Sequence, residues 1–305
     1  MTWFILRRLA ALVLTLWIVF TVSFMLMRAV PGGPYSGERN LPPEIEQNLK
    51  RRYNLNLPPL QQYLIELGNA ARGDLGVSMR LLDFSVKDVI RQGLPISAAL
   101  GIFALAFAVT LGLGAGIVSA LYRGSPADVA LMSLATLGIA LPSFVIAGLS
   151  IMLFVFVIPI FPAAGWGSFR QLILPAMCLG SLYAAEIARI SRTGMLDAMS
   201  QDFVRTARAK GLSQFAVALR HALPSALLPV VSFLGPAVAG ILTGSVVIER
   251  IFAIPGLGWH FVQAAHQRDF SLAMGLVVVY TLLLYLMNFL VDLSYGILDP
   301  RVELK

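Results

Sequence analysis

The residues best placed to do work in this chain lie in one polar stretch. It runs from Asp202 to Pro224, reads DFVRTARAKGLSQFAVALRHALP, and separates two apolar segments. Phe203, Val204 and Ala207 share one face at helical spacing, and Arg205, Arg208 and Lys210 ring the remainder. Gly211 breaks this helix, and Leu212 is the apolar residue that usually follows a glycine C-cap. Ser213 is placed to cap a second helix over Gln214 to Ala222, which Pro224 closes. The pattern predicts a helix, a glycine turn and a second helix, with basic charge held outside a bilayer. Two readings of that charge stand side by side. Either the cations only retain a loop in the cytoplasm, or the hairpin offers an amphipathic helix to a groove on a cytoplasmic partner.

Other chemistry is sparse. A hydrolase working inside a bilayer needs a nucleophile with a base in reach, yet all three histidines fall in segments outside the predicted spans. His260 and His266 lack the paired ligands of a metal site. Cys178 is the single cysteine and sits in an apolar helix, where it packs; no intramolecular disulfide framework is open to the chain. The sequence has no GxxxxGK[ST] phosphate loop, so the chain is not expected to bind ATP in that way. A secondary transporter would want an ionisable group near the bilayer midplane. Glu186 and Asp292 lie instead toward the cytoplasmic ends of their helices, and Glu186 has Arg189 at i,i+3.

The elements that position the polar stretch follow from composition. The chain has 305 residues, 58% hydrophobic and 13% charged, with a mean hydropathy of +0.80. Soluble domains carry about 25% charged residues, so this is a membrane protein. The net charge of +7 is spread over short connections between spans, which argues for membrane orientation and against nucleic acid as a partner. Leu9 to Met27 is long enough to cross the ~30 Å hydrocarbon core and reads as a retained first helix, not a signal peptide. Five further spans are expected at Ala98 to Tyr122, Ala130 to Ile158, Gln171 to Thr193, Pro229 to Ile248 and Leu272 to Tyr295. With Arg7, Arg8, Arg123, Arg189, Arg192 and the basic hairpin on one side, both ends of the chain are expected in the cytoplasm.

This divides the chain into a head and first helix (1–29) and an extracytoplasmic cap (30–97). A five-helix core (98–295) follows, with a docking loop at 194–228, and then a short tail (296–305). PGGP at Pro31 to Pro34, Pro42-Pro43 and Pro58-Pro59 punctuate the cap. Within it, Ile45, Leu49 and Tyr53, then Leu60, Leu64 and Leu67, make amphipathic pieces, and Ser85 is placed to cap another. Pro142, Pro175 and Gly235-Pro236 loosen their helices. Gly112, Gly114, Gly116 and the Gly240/Gly244 pair permit close helix approach. Ser181, Gly240, Thr243, Gly244 and Ser245 are candidates to line a translocation path, and the three hydroxyls could equally hydrogen-bond within their own helices. After the fifth span, Glu249 to Phe270 forms a loop whose turn is made by Phe252, Pro255, Gly256 and Gly258.

The polar stretch resembles the cytoplasmic loop of ABC-importer permeases, in which E-A-A, three residues, Gly, nine residues and Ile-x-Leu-Pro recur. Ala207, Gly211, Leu223 and Pro224 fall on that spacing, while Arg205, Thr206 and His221 stand where the pattern has Glu, Ala and Ile. RTARAKG, FILRR, MRAVPGGPYSGERNLPPE, GDLGVS, ILPA, GSVVIERIFAIPGLG and DLSYGILDPR are similar to the peptide-and-nickel branch. GERNLPPE points to the B-type permease subunit of an oligopeptide importer.

The resemblance implies an all-α membrane protein with the type I ABC-importer permease (MetI-like) fold. It would have six transmembrane helices and a long extracytoplasmic region between the first two. It implies residence in a bacterial inner membrane. The partners would be a second related permease, two ATPase subunits or domains that hold ATP and Mg, and an extracytoplasmic peptide-binding protein. Arg205, Thr206, Ala207, Arg208, Lys210, Gly211, Leu212, Leu223 and Pro224 would make the ATPase contact. Dipeptides, peptide-like compounds and nickel chelates are alternative cargoes.

Overall fold

The computed structural model describes residues 2–29, 47–48, 51–81 and 83–298. PGGP, Pro42-Pro43, Ile45, Leu49, GERNLPPE and the tail from residue 299 onward lie outside the described residues. Eleven helices are named here: α1 (Thr2–Ala29), α2 (Pro59–Ala71), α3 (Val86–Leu121), α4 (Pro126–Ala140), α5 (Ser143–Ile151), α6 (Phe169–Met199), α7 (Asp202–Ala209), α8 (Gln214–Val217), α9 (Leu223–Ile251), α10 (Leu257–Gln267) and α11 (Phe270–Leu298). Two π-helical turns extend this set, Met152–Val157 after α5 and Ala218–Ala222 between α8 and α9. Among the described residues, five helices are long and apolar enough to cross a membrane, and a bent pair, α4 with α5, makes a sixth if it counts as one span.

That bent pair falls on the expected third span, Ala130 to Ile158, and breaks it at Pro142. The chain bends through 113° between its two arms. Leu141 holds an extended backbone (φ −89°, ψ 129°), the conformation a following proline favours. Pro142 then starts α5, having no N–H to continue α4. The opposite outcome occurs at Pro95. The second span starts at Val86, well before Ala98, and Pro95 lies inside it. Ser85 sets the true start with a capping box: its hydroxyl accepts from the Asp88 N–H at 3.2 Å, and the Asp88 carboxylate accepts from the Ser85 N–H at 3.0 Å. The resulting 36-residue helix is about 54 Å long, well beyond the hydrocarbon core.

The core is the packing of α3 on α6. Val86, Val89, Gly93, Ser97, Leu100, Ala104, Ala108, Gly112 and Gly116 form one buried stripe at three- and four-residue spacing. Small residues there bring the two backbones together. A Cβ on Gly112 would lie 2.7 Å from the Ala184 carbonyl, and one on Gly116 2.6 Å from that of Ala188. Helix α9 packs on α6 through Ile241 and Ile248, in a cluster with Leu100, Leu174, Leu179 and Phe252. Helix α1 lies against α11, with Arg8 paired to Asp292 and the Tyr285 hydroxyl donating to the Arg8 carbonyl at 2.6 Å. Helix α2 joins them through Tyr63, whose ring meets Phe24 edge-on at 5.4 Å. On the same helix, burial pushes the Glu66 carboxyl above its ordinary range, and Arg28 partly offsets that.

Candidate functional site

The polar stretch folds as a helical hairpin. Helix α7 ends in a Schellman motif. Lys210 is the C-cap, Gly211 takes φ +83°, and the Gly211 N–H donates to the Arg208 carbonyl at 2.9 Å. The Leu212 N–H reaches back to the Ala207 carbonyl at 3.4 Å. Ser213 caps the second arm, its hydroxyl accepting from the Ala216 N–H at 3.3 Å. Val204, Ala207 and Val217 are buried against one another and pack on Met199. The outside carries Arg205, Thr206, Arg208, Lys210 and Leu212, with Phe203 and Phe215 also exposed. Phe203 therefore leaves the face it was expected to share with Val204 and Ala207. At an 8-residue amphipathic helix the buried stripe is one residue wide per turn.

Pro224 does not close the second arm. The chain passes from α8 through the π turn at Ala218–Ala222 straight into α9, giving one apolar helical run from Gln214 to Ile251. Pro224 lies inside this run, directly after the π turn. Ala218, Ala222 and Ala226 pack on Ala120, Met195 and Ala198, so the hairpin rests on the ends of α3 and α6 through alanines gathered around one buried methionine. Leu223 is half-buried in that contact and Pro224 is exposed. The 194–228 segment is thus largely helix: the end of α6, the hairpin and the root of α9.

Beside the hairpin root a part-buried ion pair joins α4 to α6. Arg192 Nε and a guanidinium NH2 group donate to the two Asp128 oxygens, each at 2.9 Å. Ser119 on α3 donates to the same carboxylate, and the Gly124 N–H does so at 2.9 Å. This pair escaped the sequence reading, because 64 residues separate its members and each sits at the rim of an apolar run.

The opposite end of α9 is held by a buried carboxylate. Glu249 is 0% exposed. Its Oε1 accepts from the Ser97 hydroxyl of α3 at 2.7 Å, and its Oε2 from the Trp259 N–H of α10 at 3.0 Å. Ser97 Oγ in turn accepts from the Leu257 N–H at 2.9 Å. Helix α10 thus has its first-turn N–H groups satisfied by side chains of two other helices. Asp269 does the same for α11, accepting from Leu272 N–H at 3.1 Å and from the backbone of Met79 and Arg80 at 3.1 and 3.2 Å. Ser78, the end of GDLGVS, donates to it as well. On α10, burial holds the His260 imidazole below its ordinary range. Glu249 read from sequence as the first residue of a loop; only its position directly after an apolar run hinted at burial.

The path candidates do not converge. Ser181 donates to the Cys178 carbonyl at 2.9 Å and lines an apolar groove of about 500 Å³ between α3, α4 and α6. Thr243 donates to the Ala239 and Gly240 carbonyls, and Ser245 to that of Leu242. All three hydroxyls therefore bond within their own helices. Gly240 lies against the Tyr183 hydroxyl, and Gly244 is in contact with Leu179, so both serve the α9–α6 packing.

This arrangement has known counterparts. Residues 112–304 match the family described as "Binding-protein-dependent transport system inner membrane component". The oligopeptide transport system permease protein OppB of Escherichia coli (strain K12) is 44% identical over 302 residues, 98% of this chain and 99% of that protein. The dipeptide transport system permease protein DppB of Bacillus subtilis (strain 168) is 43% identical over 301 residues, 99% of this chain and 98% of that one. Among solved structures, an inward-facing form of the MetNI methionine ABC transporter superposes with a TM-score of 0.58 at 17% identity, over 69% of this chain and 96% of that chain. An amino acid ABC transporter gives 0.53 at 18% identity, over 69% and 94%. These two establish the type I importer-permease fold. The apolar helices make this a multi-pass membrane protein, and the chain belongs to the family of binding-protein-dependent transport-system inner-membrane components, the permease subunits of ABC importers.

Proposed function

We propose that this chain is the B-type permease of an importer that carries oligopeptides into a bacterial cytoplasm, with a second related permease completing the pathway. Two ATPase subunits or domains, holding ATP and Mg, would drive it, and an extracytoplasmic binding protein would deliver the peptide. Both chain ends and the 202–224 hairpin face the cytoplasm in this reading, because the short basic segments cluster there. The cargo follows the oligopeptide and dipeptide relatives that match nearly end to end. Dipeptides, peptide-like compounds and nickel chelates remain the alternatives.

The observation that carries the coupling is the continuous helical run from the hairpin's second arm to Ile251. A pull on exposed Arg205, Arg208, Lys210 and Leu212 passes through the short glycine turn and the Val204–Val217 contact into the helical run that continues as α9. Thr206 lies on the same outer surface. Ala207 and Gly211 give the hairpin its shape: one is buried, the other adopts a left-handed turn that a Cβ would strain by about 1–2 kcal/mol. Closure of the ATPases around ATP would draw the hairpin with them and rock the paired permeases between inward-open and outward-open states.

The test is Gly211→Asp and Gly211→Arg in cells that depend on peptide uptake. Both proteins are expected in the membrane at normal levels, with ATP hydrolysis uncoupled from uptake. Wild-type uptake in either variant would sink the reading. Affinity purification of the tagged chain supplies the partners: a second permease and Walker-motif ATPases are expected to co-elute.

A further inference from the structure

We propose that Glu249, Ser97 and the first turn of α10 form a latch that closes the end of the permease opposite the hairpin. In this proposal the latch must part when α9 moves against α3. It rests on the coupling reading above, which puts this end on the extracytoplasmic side.

The latch is a closed circuit of three hydrogen bonds through three helices. The Leu257 N–H of α10 donates to Ser97 Oγ of α3, Ser97 donates to Glu249 of α9, and Glu249 accepts from the Trp259 N–H of α10. The Ser97 hydroxyl does both at one atom, accepting from Leu257 and donating to Glu249. The approach is close enough that a Cβ on Gly256 would fall 2.5 Å from both Glu249 Oε2 and Ser97 Oγ. Ser97 is 5% exposed and Glu249 0%, so the circuit is shut away from competing water.

A buried carboxylate is a poor choice for stability alone, since a well-packed apolar group commonly does as well or better. Directional hydrogen bonds differ from apolar packing in having two discrete arrangements, made and broken, which suits a two-state gate. The circuit also sits where the coupling would deliver its motion. One helical run leads from Gln214 in the hairpin to Glu249, a path of about 53 Å at 1.5 Å per residue. Rocking of α9 away from α3 separates Glu249 from Ser97, and α10, bonded to both, cannot follow both.

The experiment measures ATP hydrolysis by the whole complex that co-purifies with the tagged chain, reconstituted in lipid nanodiscs, with and without its binding protein. Ser97→Ala removes the bridging hydroxyl. Glu249→Gln keeps the shape but offers one acceptor oxygen in place of two and turns an NH2 toward a donor. Both are expected to raise the basal rate without binding protein roughly three- to tenfold, the factor that one lost hydrogen bond corresponds to, and to shrink stimulation by the binding protein. A merely structural role would lower the basal and the stimulated rate together.

Folded, assembled variants with an unchanged basal rate, or with both rates lowered, overturn the latch. Should Glu249→Gln fail to assemble, Ser97→Ala decides alone. A wild-type complex that its binding protein does not stimulate removes the coupling reading itself, and the latch falls with it.

Discussion

The two ends of the long helical run from Gln214 to Ile251 are held by different physics. At the hairpin end the contacts within the chain are apolar: Ala218, Ala222 and Ala226 on Ala120, Met195 and Ala198, and Val204 on Val217. Larger side chains, Phe203 and Phe215, are left exposed together with Arg205 and Arg208. At the far end, Glu249 and Ser97 are buried and hydrogen-bonded to backbone on a third helix. Apolar contacts fix an element in place while letting it slide, because dispersion has no strong direction. A buried hydrogen-bond circuit does not slide; it holds or breaks. One end therefore leaves its larger side chains exposed, and the other is gripped by its own chain.

Glu249→Ala should break this contrast most severely. It orphans the Trp259 N–H and the Ser97 hydroxyl, and the expected cost is about 1–3 kcal/mol of unfolding free energy. Thermal unfolding of the purified protein checks it, and a wild-type midpoint would mean that the circuit holds nothing.

The double change Arg205→Ala with Arg208→Ala sharpens the contrast from the other end. Arg205 and Asp202 pair at 3.4 Å with side chains 80% and 95% exposed. Such a pair contributes little, and stability should stay within about 0.5 kcal/mol of wild type. Uptake, by contrast, should fall severely, as measured with a radiolabelled peptide in whole cells. Normal uptake would remove the arginines from the docking surface.

The smallest effect expected is a pH dependence at the α10 seat. Burial lowers the His260 pKa in the folded protein, so the unfolded chain, titrating near ~6.5, takes up the proton first. His260 contributes nothing above that pH, and stability declines as pH falls below it toward the depressed folded value. Unfolding midpoints at pH 7.5 and pH 5.5 should therefore differ less in His260→Gln than in wild type. Equal pH slopes in the two proteins would remove His260 as the source.

Local signals are legible in the sequence because their causes are local. Ser85, Ser213 and Gly211 act within four residues of themselves, and each ends or begins a helix where its chemistry says it should. Prolines are less legible, because their outcome depends on neighbours. Pro142 breaks its span, whereas Pro95, Pro175, Pro229 and Pro236 lie inside continuous helices. All remove one N–H; surrounding packing decides whether the helix bends through 113° or continues.

The sequence by itself determined the class of the molecule. Apolar runs longer than a bilayer, cations gathered in short connections, and a glycine-centred basic hairpin are properties of neighbouring residues, and they need no partner to be recognised. The tertiary structure decided which polar groups are buried and whom they meet. Ser97 and Glu249 are 152 positions apart, and Asp128 and Arg192 are 64 apart. No periodicity records such a pairing. A buried polar side chain is defined by what has folded against it, and that exists only once the helices have packed.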